Sequence, residues 1–271
     1  MIQVTANLYV ETGMLACNLG LVTTKEGLIM IDTPMRPTDA VKWREEVSRK
    51  GEVRYLINTE EHPDHWQGSH FFPGVIVTSQ ETREQLEKTP ADKIVEGMKN
   101  IDAEGLSLAD GYQVKLADIT FTENLELHLG NHTIKLFPLP GHSPGGIGVY
   151  IPEERVVFTT DIVFHHLKSW LTGAVPSQWL DSLQKLKQLD VEFVVPGHGD
   201  ICKKDYLDEQ AHIIQGWVEV VKSAIKQGWS EEEAAVRISV PDPHPKQPGT
   251  PMAEEALNKA IIARLYNLYA K

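Results

Sequence analysis

Four side chains that can bind metal ions lie within six residues of one another in the stretch INTEEHPDHWQG: Glu60, His62, Asp64 and His65. Alternate residues of an extended segment point to the same side, which would place Glu60, His62 and Asp64 together. A turn into a helix would then bring His65 beside Asp64. Imidazole and carboxylate groups at this density suit zinc, iron or manganese, although a polar helix-capping loop uses the same residue types.

Three further predicted strands each end in a single His or Asp. His142 follows FPLPG, Asp161 follows VVFTT, and His198 follows FVVPG. The glycines beside His142 and His198 permit close approach of the backbone. Taken singly, each residue could equally be a helix cap or a structural side chain. Four such strand ends in one chain indicate a shared site.

In order and spacing these residues resemble the metallo-β-lactamase-fold hydrolase superfamily. Its signature is H-x-H-x-D-H, followed by a later His, an Asp and a last His, and the resemblance extends from about residue 18 to residue 200. The resemblance implies an α/β fold, namely a four-layer αβ/βα sandwich with a two-metal site at one edge of its two sheets. In this chain we expect extra C-terminal helices on that sandwich.

The resemblance also implies which residues bind the metals. His62 and His142 would bind the first metal, and Asp161 would bridge both metals. The second metal would be bound by three further side chains: Asp64, His65 and His198. Asp64 is the expected catalytic residue, because in this family it would orient a hydroxide held between the metals and accept its proton.

Further residues are expected to support or surround the metals. Asp32, in the sequence IDTP, corresponds to an early Asp of the family that supports a metal ligand, although a strand-end Asp that closes a turn has the same appearance. Four aromatic side chains lie close to the ligands in sequence and are candidates for the pocket or for packing beside it: Trp66, His165, His166 and Trp170.

The sequence departs from the signature at its first position, where Glu60 replaces His. A carboxylate can bind a metal, so we expect Glu60 to be a ligand, the alternative being a damaged or mononuclear site. Its negative charge would make an otherwise positively charged two-metal site neutral. A neutral site attracts anions less strongly than a positive one and lowers the pKa of bound water by less. We expect two divalent metal ions, zinc first, with manganese or iron favoured by the added carboxylate.

The resemblance implies a metal-dependent hydrolase that attacks an ester, lactone, thioester, amide or phosphoester bond of a small molecule. A metal-bridged hydroxide would be the nucleophile. Two alternatives stay open. One is an iron-dependent oxidoreductase on the same fold, and the other is a catalytically impaired binding protein if Glu60 does not bind metal.

The elements needed to position these loops follow from the hydrophobic pattern. Strands are predicted at residues 27–32 and 53–59, and the latter ends at the Glu60 loop. Apolar stripes at helical spacing over residues 205–227 and 252–269 are too narrow for a separate domain. We therefore predict one domain over residues 1–271, with residues 201–271 as a helical C-terminal extension packed on it.

Composition limits the classes of partner. The chain has 271 residues, of which 41% are hydrophobic, and this composition is typical of a globular protein. Its net charge is −12 and it contains no Lys/Arg run, which argues against nucleic acid or an anionic membrane as partner. Two isolated cysteines argue against a disulfide framework. Without a signal-peptide pattern or a membrane span, we expect a cytoplasmic protein with a small-molecule substrate, and leave a homodimer open.

Overall fold

The computed structural model describes residues 1–250 and 252–270. The strands are β1 Ile2–Gln3, β2 Leu8–Glu11, β3 Leu19–Thr24, β4 Gly27–Ile31, β5 Val53–Ile57, β6 Val75–Ser79, β7 Ile119–Phe121, β8 Leu125–Leu129, β9 His132–Pro138, β10 Ile147–Ile151, β11 Val156–Phe158, β12 Phe164–His165, β13 Phe193–Val195 and β14 His198–Gly199. The α-helices are α1 Pro37–Ser48, α2 Pro63–Trp66, α3 Gln80–Leu86, α4 Ala91–Ile101, α5 Pro176–Lys187, α6 Tyr206–Lys226, α7 Glu231–Arg237 and α8 Glu254–Tyr269.

The strands form two large sheets and one short pair. The first sheet has seven strands in the order β1-β2-β3-β4-β5-β6-β7, antiparallel from β1 to β4 and parallel from β4 to β7. The second has five strands in the order β13-β11-β10-β9-β8, with β11 and β13 parallel. Strands β12 and β14 pair in parallel beside the candidate site.

Side-chain alternation along β4 shows how the layers stack. Leu28 and Met30 pack in a cluster with Trp43 of α1 on the outer face of the first sheet. Ile29 and Ile31 point the other way, into the core that the first sheet shares with the second. This period of two is what a strand buried on both faces requires.

The outer face of the second sheet is covered by helices α5, α6 and α8. Val157 of β11 lies in one hydrophobic cluster with Trp179, Trp217 and Leu257, which belong to these three helices in turn. The order of layers is therefore helix, sheet, sheet, helix. The predicted four-layer αβ/βα sandwich with extra C-terminal helices is confirmed.

Two local details differ from the sequence-based expectation. The segment expected to be extended through Asp64 turns into helix α2 at Pro63, because proline suits the first helical position. Asp64 and His65 thus lie on a helical turn. The last helix, predicted from Met252, begins at Glu254. None of the helices within residues 1–250 and 252–270 is long and apolar enough to span a membrane.

We expect a chain that ends at Asp200 to be insoluble or unfolded. It would lose the helices that cover the second sheet, and with them these fully buried side chains: Leu207, Ile214, Trp217, Val221, Leu257, Ile261, Ile262 and Leu265. Each contributes about 1.5–3 kcal/mol by burial, so the total is comparable to or larger than the roughly 5–15 kcal/mol stability of a typical domain. The check is expression in soluble form followed by thermal unfolding.

A single substitution gives a graded version of the same test. Trp217→Ala should lower the free energy of unfolding by about 3–5 kcal/mol, because the indole is fully buried. Val236→Ala is the matched control, since Val236 is 82% exposed. A soluble, metal-binding fragment ending at Asp200 would contradict the dependence of the sandwich on its C-terminal helices.

Candidate metal centre

The predicted metal ligands lie on loops that leave the carboxyl ends of four strands. Glu60 and the residues after it follow β5, and His142 follows β9. Asp161 and His198 follow β11 and β13, which run parallel and therefore end at the same edge of the second sheet. The two sheets face each other, so all four loops meet at one edge of the sandwich.

One group of donors surrounds the first predicted metal position. The ligand atoms of its four members all lie within 4.8 Å of one another: Glu60, His62, His142 and Asp161. The Nε2 atom of His142 lies 3.2 Å from Nδ1 of His62 and 3.4 Å from Oδ2 of Asp161. Two imidazoles and two carboxylates thus converge on one point.

A second group lies directly beside the first. Asp64, His65 and His198 also bring their ligand atoms within 4.8 Å of one another. Asp161 connects the two groups, because its Oδ1 lies 3.3 Å from Nε2 of His65 and 3.2 Å from Nε2 of His198. Its other oxygen faces the first group, so the carboxylate lies between the two donor groups.

Backbone carbonyls set the tautomers of two of these histidines. Nδ1 of His142 lies 2.8 Å from the carbonyl oxygen of Trp170, and Nδ1 of His198 lies 3.1 Å from that of Ala16. A carbonyl oxygen only accepts, so each Nδ1 carries a proton and donates it. The Nε2 lone pairs are then directed into the centre, as metal ligands require.

Asp32 orients the third histidine. Its Oδ2 lies 2.9 Å from Nδ1 of His65 and accepts a hydrogen bond of 2.6 Å from the Thr59 hydroxyl. Its Oδ1 accepts a hydrogen bond from the Thr59 backbone N–H at 2.7 Å. A buried carboxylate behind an imidazole fixes the ring and increases its basicity. The structure therefore places Asp32 behind a predicted ligand and outside the two donor groups.

Two buried atoms of the centre lack a hydrogen-bond partner. They are Nε2 of His65 and Oδ1 of Asp161, and both face the point where the two donor groups meet. Buried polar atoms without partners cost free energy, and a cation bound between these donors would supply the missing partner. The residues present therefore fit a pair of divalent cations.

Glu60 is held so that one oxygen faces the centre. Its carboxylate is fully buried. Oε2 accepts hydrogen bonds from the hydroxyls of Ser143, at 3.1 Å, and Thr160, at 3.2 Å. Oε1 contacts Nδ1 of His62 and is directed toward the other imidazoles. The carboxylate thus occupies the position of the missing first histidine with one oxygen available for a metal.

A sequence model described as the metallo-beta-lactamase superfamily matches residues 12–198. The chain belongs to the metallo-beta-lactamase superfamily. The match begins before β3 and ends at His198, so it includes all the donors described above. Membership in this superfamily implies that the centre binds divalent metal.

Individual relatives share parts of the chain. Hydroxyacylglutathione hydrolase of Bartonella henselae is 33% identical over 91 residues, which are 33% of this chain and 36% of that protein. Linear primary-alkylsulfatase of Pseudomonas sp. is 22% identical over 265 residues, 83% of this chain and 50% of that protein. The chain thus spans half or less of the length of these curated relatives, and their names favour a hydrolase.

Solved structures share the superfamily fold. The metallo-beta-lactamase from Pontibacter korlensis aligns with a TM-score of 0.62 and 20% identity, over 79% of this chain and 97% of that one. The sec-alkylsulfatase Pisa1 from Pseudomonas sp. aligns with a TM-score of 0.72 and 13% identity, over 99% of this chain and 50% of that one. At these identities the likeness concerns the fold alone.

The carboxylate of Glu60 and the imidazole of His62 are in ion-pair contact. Burial opposes the charge of Glu60, but the neighbouring imidazoles, His62 foremost, lower the pKa of this carboxyl to about 2. Partial desolvation opposes the charge of His62, whose side chain remains 46% exposed, yet the carboxylate of Glu60 raises the pKa of this imidazole to about 10. A metal that binds both groups must therefore displace a proton from His62.

We expect binding of zinc to the protein stripped of metal to release protons at pH 7–8 from His62 and from His65 and His198, since burial opposes their charge but neighbouring acidic groups raise the pKa of all three imidazoles. Because the pKa of His62 is raised to about 10, the imidazole is protonated at these pH values and becomes neutral only on binding metal. Apparent zinc affinity should rise with pH until that pKa is passed. Calorimetric titrations in two buffers of different ionisation enthalpy measure the protons released. Equal heats in both buffers would contradict the ion pair.

A cavity of about 230 Å³ opens onto the centre. Five of the predicted ligands line its base: His62, Asp64, His142, Asp161 and His198. Its walls are mainly apolar, with Leu15, Met35, Ile101, Phe164 and Trp170. The rim is completed by residues from the C-terminal region, namely Gln247, Gly249 and Thr250.

Of the four aromatic residues suggested for the pocket, the structure places only Trp170 in the lining of this cavity. Trp66 is buried in the core of the first sheet, and its Nε1–H donates to the carbonyl oxygen of Glu61 at 2.8 Å. His165 lines a separate surface pocket with Tyr206. His166 stacks on His165, with ring centroids 4.0 Å apart.

Several residues of the site escaped the sequence analysis. Ser143 and Thr160 hold Glu60, but a hydroxyl next to a ligand carries no distinctive signal. Gly197 is required sterically, because a Cβ there would lie 2.0 Å from Oδ1 of Asp161. The glycine before His198 was the one available signal. The rim residues Gln247 and Thr250 lie in a proline-rich run that resembles an ordinary surface loop.

Proposed function

We propose that this protein is a binuclear metal-dependent hydrolase that cleaves an ester or lactone bond of a small, uncharged substrate with a hydrophobic group. The observation that carries the proposal is the convergence of two donor groups on Asp161 at the base of an apolar cavity. Membership in the superfamily, with hydrolases among the matched relatives, supports the reaction class.

The cavity walls favour a hydrophobic substrate. Phe164 and Trp170 offer aromatic surface beside the centre, and Leu15, Met35 and Ile101 continue the apolar wall. No Lys or Arg is found among the lining residues within the described part of the chain. A sulfate or phosphate group would therefore enter without a cationic side chain to pair with it.

Charge at the centre supports the same choice. Glu60 adds a third carboxylate to those of Asp64 and Asp161, so two divalent cations and a hydroxide would leave the site close to neutral. A neutral site gives an anionic substrate little electrostatic advantage. An uncharged ester or lactone loses less, because its binding depends on apolar contact with the cavity walls.

Two divalent cations bound here would polarise a scissile carbonyl oxygen and acidify a water molecule. The first would be held by four side chains: Glu60, His62, His142 and Asp161. The second would be held by Asp64, His65 and His198, together with Asp161. The chain provides fixed rings and carboxylates, since Asp32 and two backbone carbonyls orient the histidines before substrate arrives.

Asp64 is the residue placed to move a proton. Its side chain is 20% exposed and lies in the cavity lining, whereas Glu60 is fully buried. Its Oδ2 lies 3.5 Å from Nε2 of His198. From this position the carboxylate can orient the attacking water and accept its proton, then pass that proton to the leaving group. Phe164 and Trp170 provide apolar surface in the lining of the same cavity.

The test is a substrate series measured on the metal-loaded protein. We expect kcat/KM for 4-nitrophenyl esters to rise by about fourfold for each added acyl methylene until the cavity is filled, equivalent to about 0.8 kcal/mol each. Lactones with longer side chains should follow the same order. 4-Nitrophenyl sulfate, bis(4-nitrophenyl) phosphate and S-lactoylglutathione are the anionic comparison substrates.

Metal analysis of the same sample separates the alternatives. Zinc or manganese with esterase activity supports the proposal. Preference for the sulfate or the phosphodiester would overturn the substrate class. Bound iron with oxygen consumption would favour the oxidoreductase, and absence of both metal and activity would favour a binding protein.

A further inference from the structure

A second cluster of metal-binding side chains lies outside the candidate centre. His166, Glu209 and His244 bring their ligand atoms within 4.8 Å of one another. They come from three separate segments, since His166 follows β12, Glu209 lies in α6, and His244 lies in residues 241–250, here called the Pro-rich segment. The Nε2 atom of His244 lies 3.5 Å from Oε1 of Glu209. Convergence of two imidazoles and a carboxylate from distant parts of the chain requires a physical reason.

Asp242 fixes the orientation of His244. Its carboxylate is buried, and Oδ1 lies 3.2 Å from Nδ1 of His244 and accepts the His244 backbone N–H at 3.1 Å. Its Oδ2 accepts the backbone N–H of Ser169 at 2.9 Å. Nδ1 of His244 therefore donates to Asp242. A carboxylate behind one ring nitrogen, with the other nitrogen directed at further donors, is the usual environment of a metal-binding histidine.

This orientation makes Nε2 of His244 face the carboxylate of Glu209. With Nδ1 donating to Asp242, the lone pair of a neutral His244 ring lies on Nε2, and this nitrogen and the Glu209 carboxylate can both bind a cation placed between them. A proton could be shared only by His244 and Glu209, whereas a divalent cation could bind His166 as well. Two histidines and one carboxylate form a ligand set that suits zinc, with open positions for water.

We propose that His166, Glu209 and His244 bind a further divalent metal ion of the zinc class, separate from the two of the catalytic centre. The proposal does not depend on the reaction proposed above. Its basis is the convergence of the three side chains and the orientation of His244 by Asp242.

This ion would fix one wall of the cavity. The segment after β12 carries Trp170, whose side chain lines the cavity and whose carbonyl holds His142. The Pro-rich segment carries Gln247 and Thr250, which line the rim. One backbone hydrogen bond already joins the segments, from Lys168 N–H to the carbonyl oxygen of Pro245, at 2.8 Å. The Ser169 N–H bond to Asp242 joins them as well, and a metal binding His166 and His244 would add a further, stronger connection.

The test counts zinc ions on the full-length protein. Wild type, His166→Asn and Glu209→Gln are stripped with a chelator, titrated with zinc and analysed for bound metal. His166 has a left-handed backbone, with φ of 55°, which Asn tolerates well. The matched control is His212→Asn, an exposed histidine on α6 outside the cluster. Each cluster variant should bind one zinc fewer than wild type and the control, with affinity at the cluster lowered roughly tenfold or more.

A second readout is the thermal unfolding midpoint, which zinc should raise in the wild type. In the cluster variants this rise should be smaller, while the midpoint without zinc should stay unchanged. The same pair of measurements in an Asp161→Asn background separates this site from the catalytic centre. There the centre binds zinc weakly, so zinc lost on adding His166→Asn is assigned to the cluster. Equal zinc content and equal midpoints in variants and wild type would overturn the proposal.

Discussion

Asp161→Asn is expected to abolish hydrolysis and to weaken both metal positions at once. The carboxylate of Asp161 contacts both donor groups, with Oδ1 3.3 Å from Nε2 of His65 and Oδ2 3.4 Å from Nε2 of His142. The amide keeps the size of the side chain but removes the charge that holds two cations together. Metal catalysis supplies several kcal/mol, so we expect kcat/KM to fall by roughly a thousandfold or more.

The measurements are ester hydrolysis and metal content after dialysis. Asp181→Asn is the matched control, because Asp181 is an exposed aspartate on α5 away from the centre. The metal-free forms of variant and wild type should have similar circular dichroism, since Asp161 lies at a loop end. If Asp161→Asn keeps the wild-type rate and metal content, the bridging role is wrong.

Much of the fold could be predicted because local pattern and superfamily signature agree. The apolar run GLIMI predicts a strand, and the structure has strand β4 there, buried on both faces. The loops that carry Glu60, His142, Asp161 and His198 follow strands in the predicted order. Because carboxyl ends of parallel strands meet at one edge, their convergence follows from topology.

Side-chain destinations were harder to predict, as the two tryptophans show. Trp66 and Trp170 each lie near a ligand loop in sequence, yet the former is 1% exposed in the core and the latter lines the cavity. The difference arises from tertiary contacts, since helix α2 turns Trp66 inward, where its Nε1–H bonds to Glu61. Sequence proximity to a ligand does not determine which way a side chain points.

The rim of the cavity could not be predicted, because it depends on contacts between distant segments. Gln247 reaches the site by donating from Nε2 to the carbonyl oxygen of Ala16 at 2.7 Å. The same carbonyl accepts from Nδ1 of His198. No periodicity or motif connects residues so far apart in sequence. The Pro-rich segment therefore contributes to the cavity through packing that the sequence pattern does not encode.

Glu60→His is expected to increase activity at neutral pH and to strengthen zinc binding relative to manganese. In the natural chain the Glu60 carboxylate reduces the positive charge of the first metal position, so bound water should ionise at higher pH. Histidine removes that charge and supplies the nitrogen donor that zinc prefers. The acidic limb of the pH–rate profile should therefore move to lower pH.

Glu60→Gln separates charge from ligation. The amide keeps the shape of the side chain and its reach toward the hydroxyls of Ser143 and Thr160, 3.1 and 3.2 Å from Oε2 in the natural chain. It removes the charge without supplying a nitrogen ligand, so the pH–rate profile should move the same way while the first metal binds more weakly. The two variants should therefore have similar pH–rate profiles but different affinities for the first metal, and this difference is expected only if the Glu60 carboxylate binds that metal. Superimposable profiles and equal metal content in all three proteins would mean that Glu60 does not contact the metal, and the mononuclear or binding-protein alternatives would then be favoured.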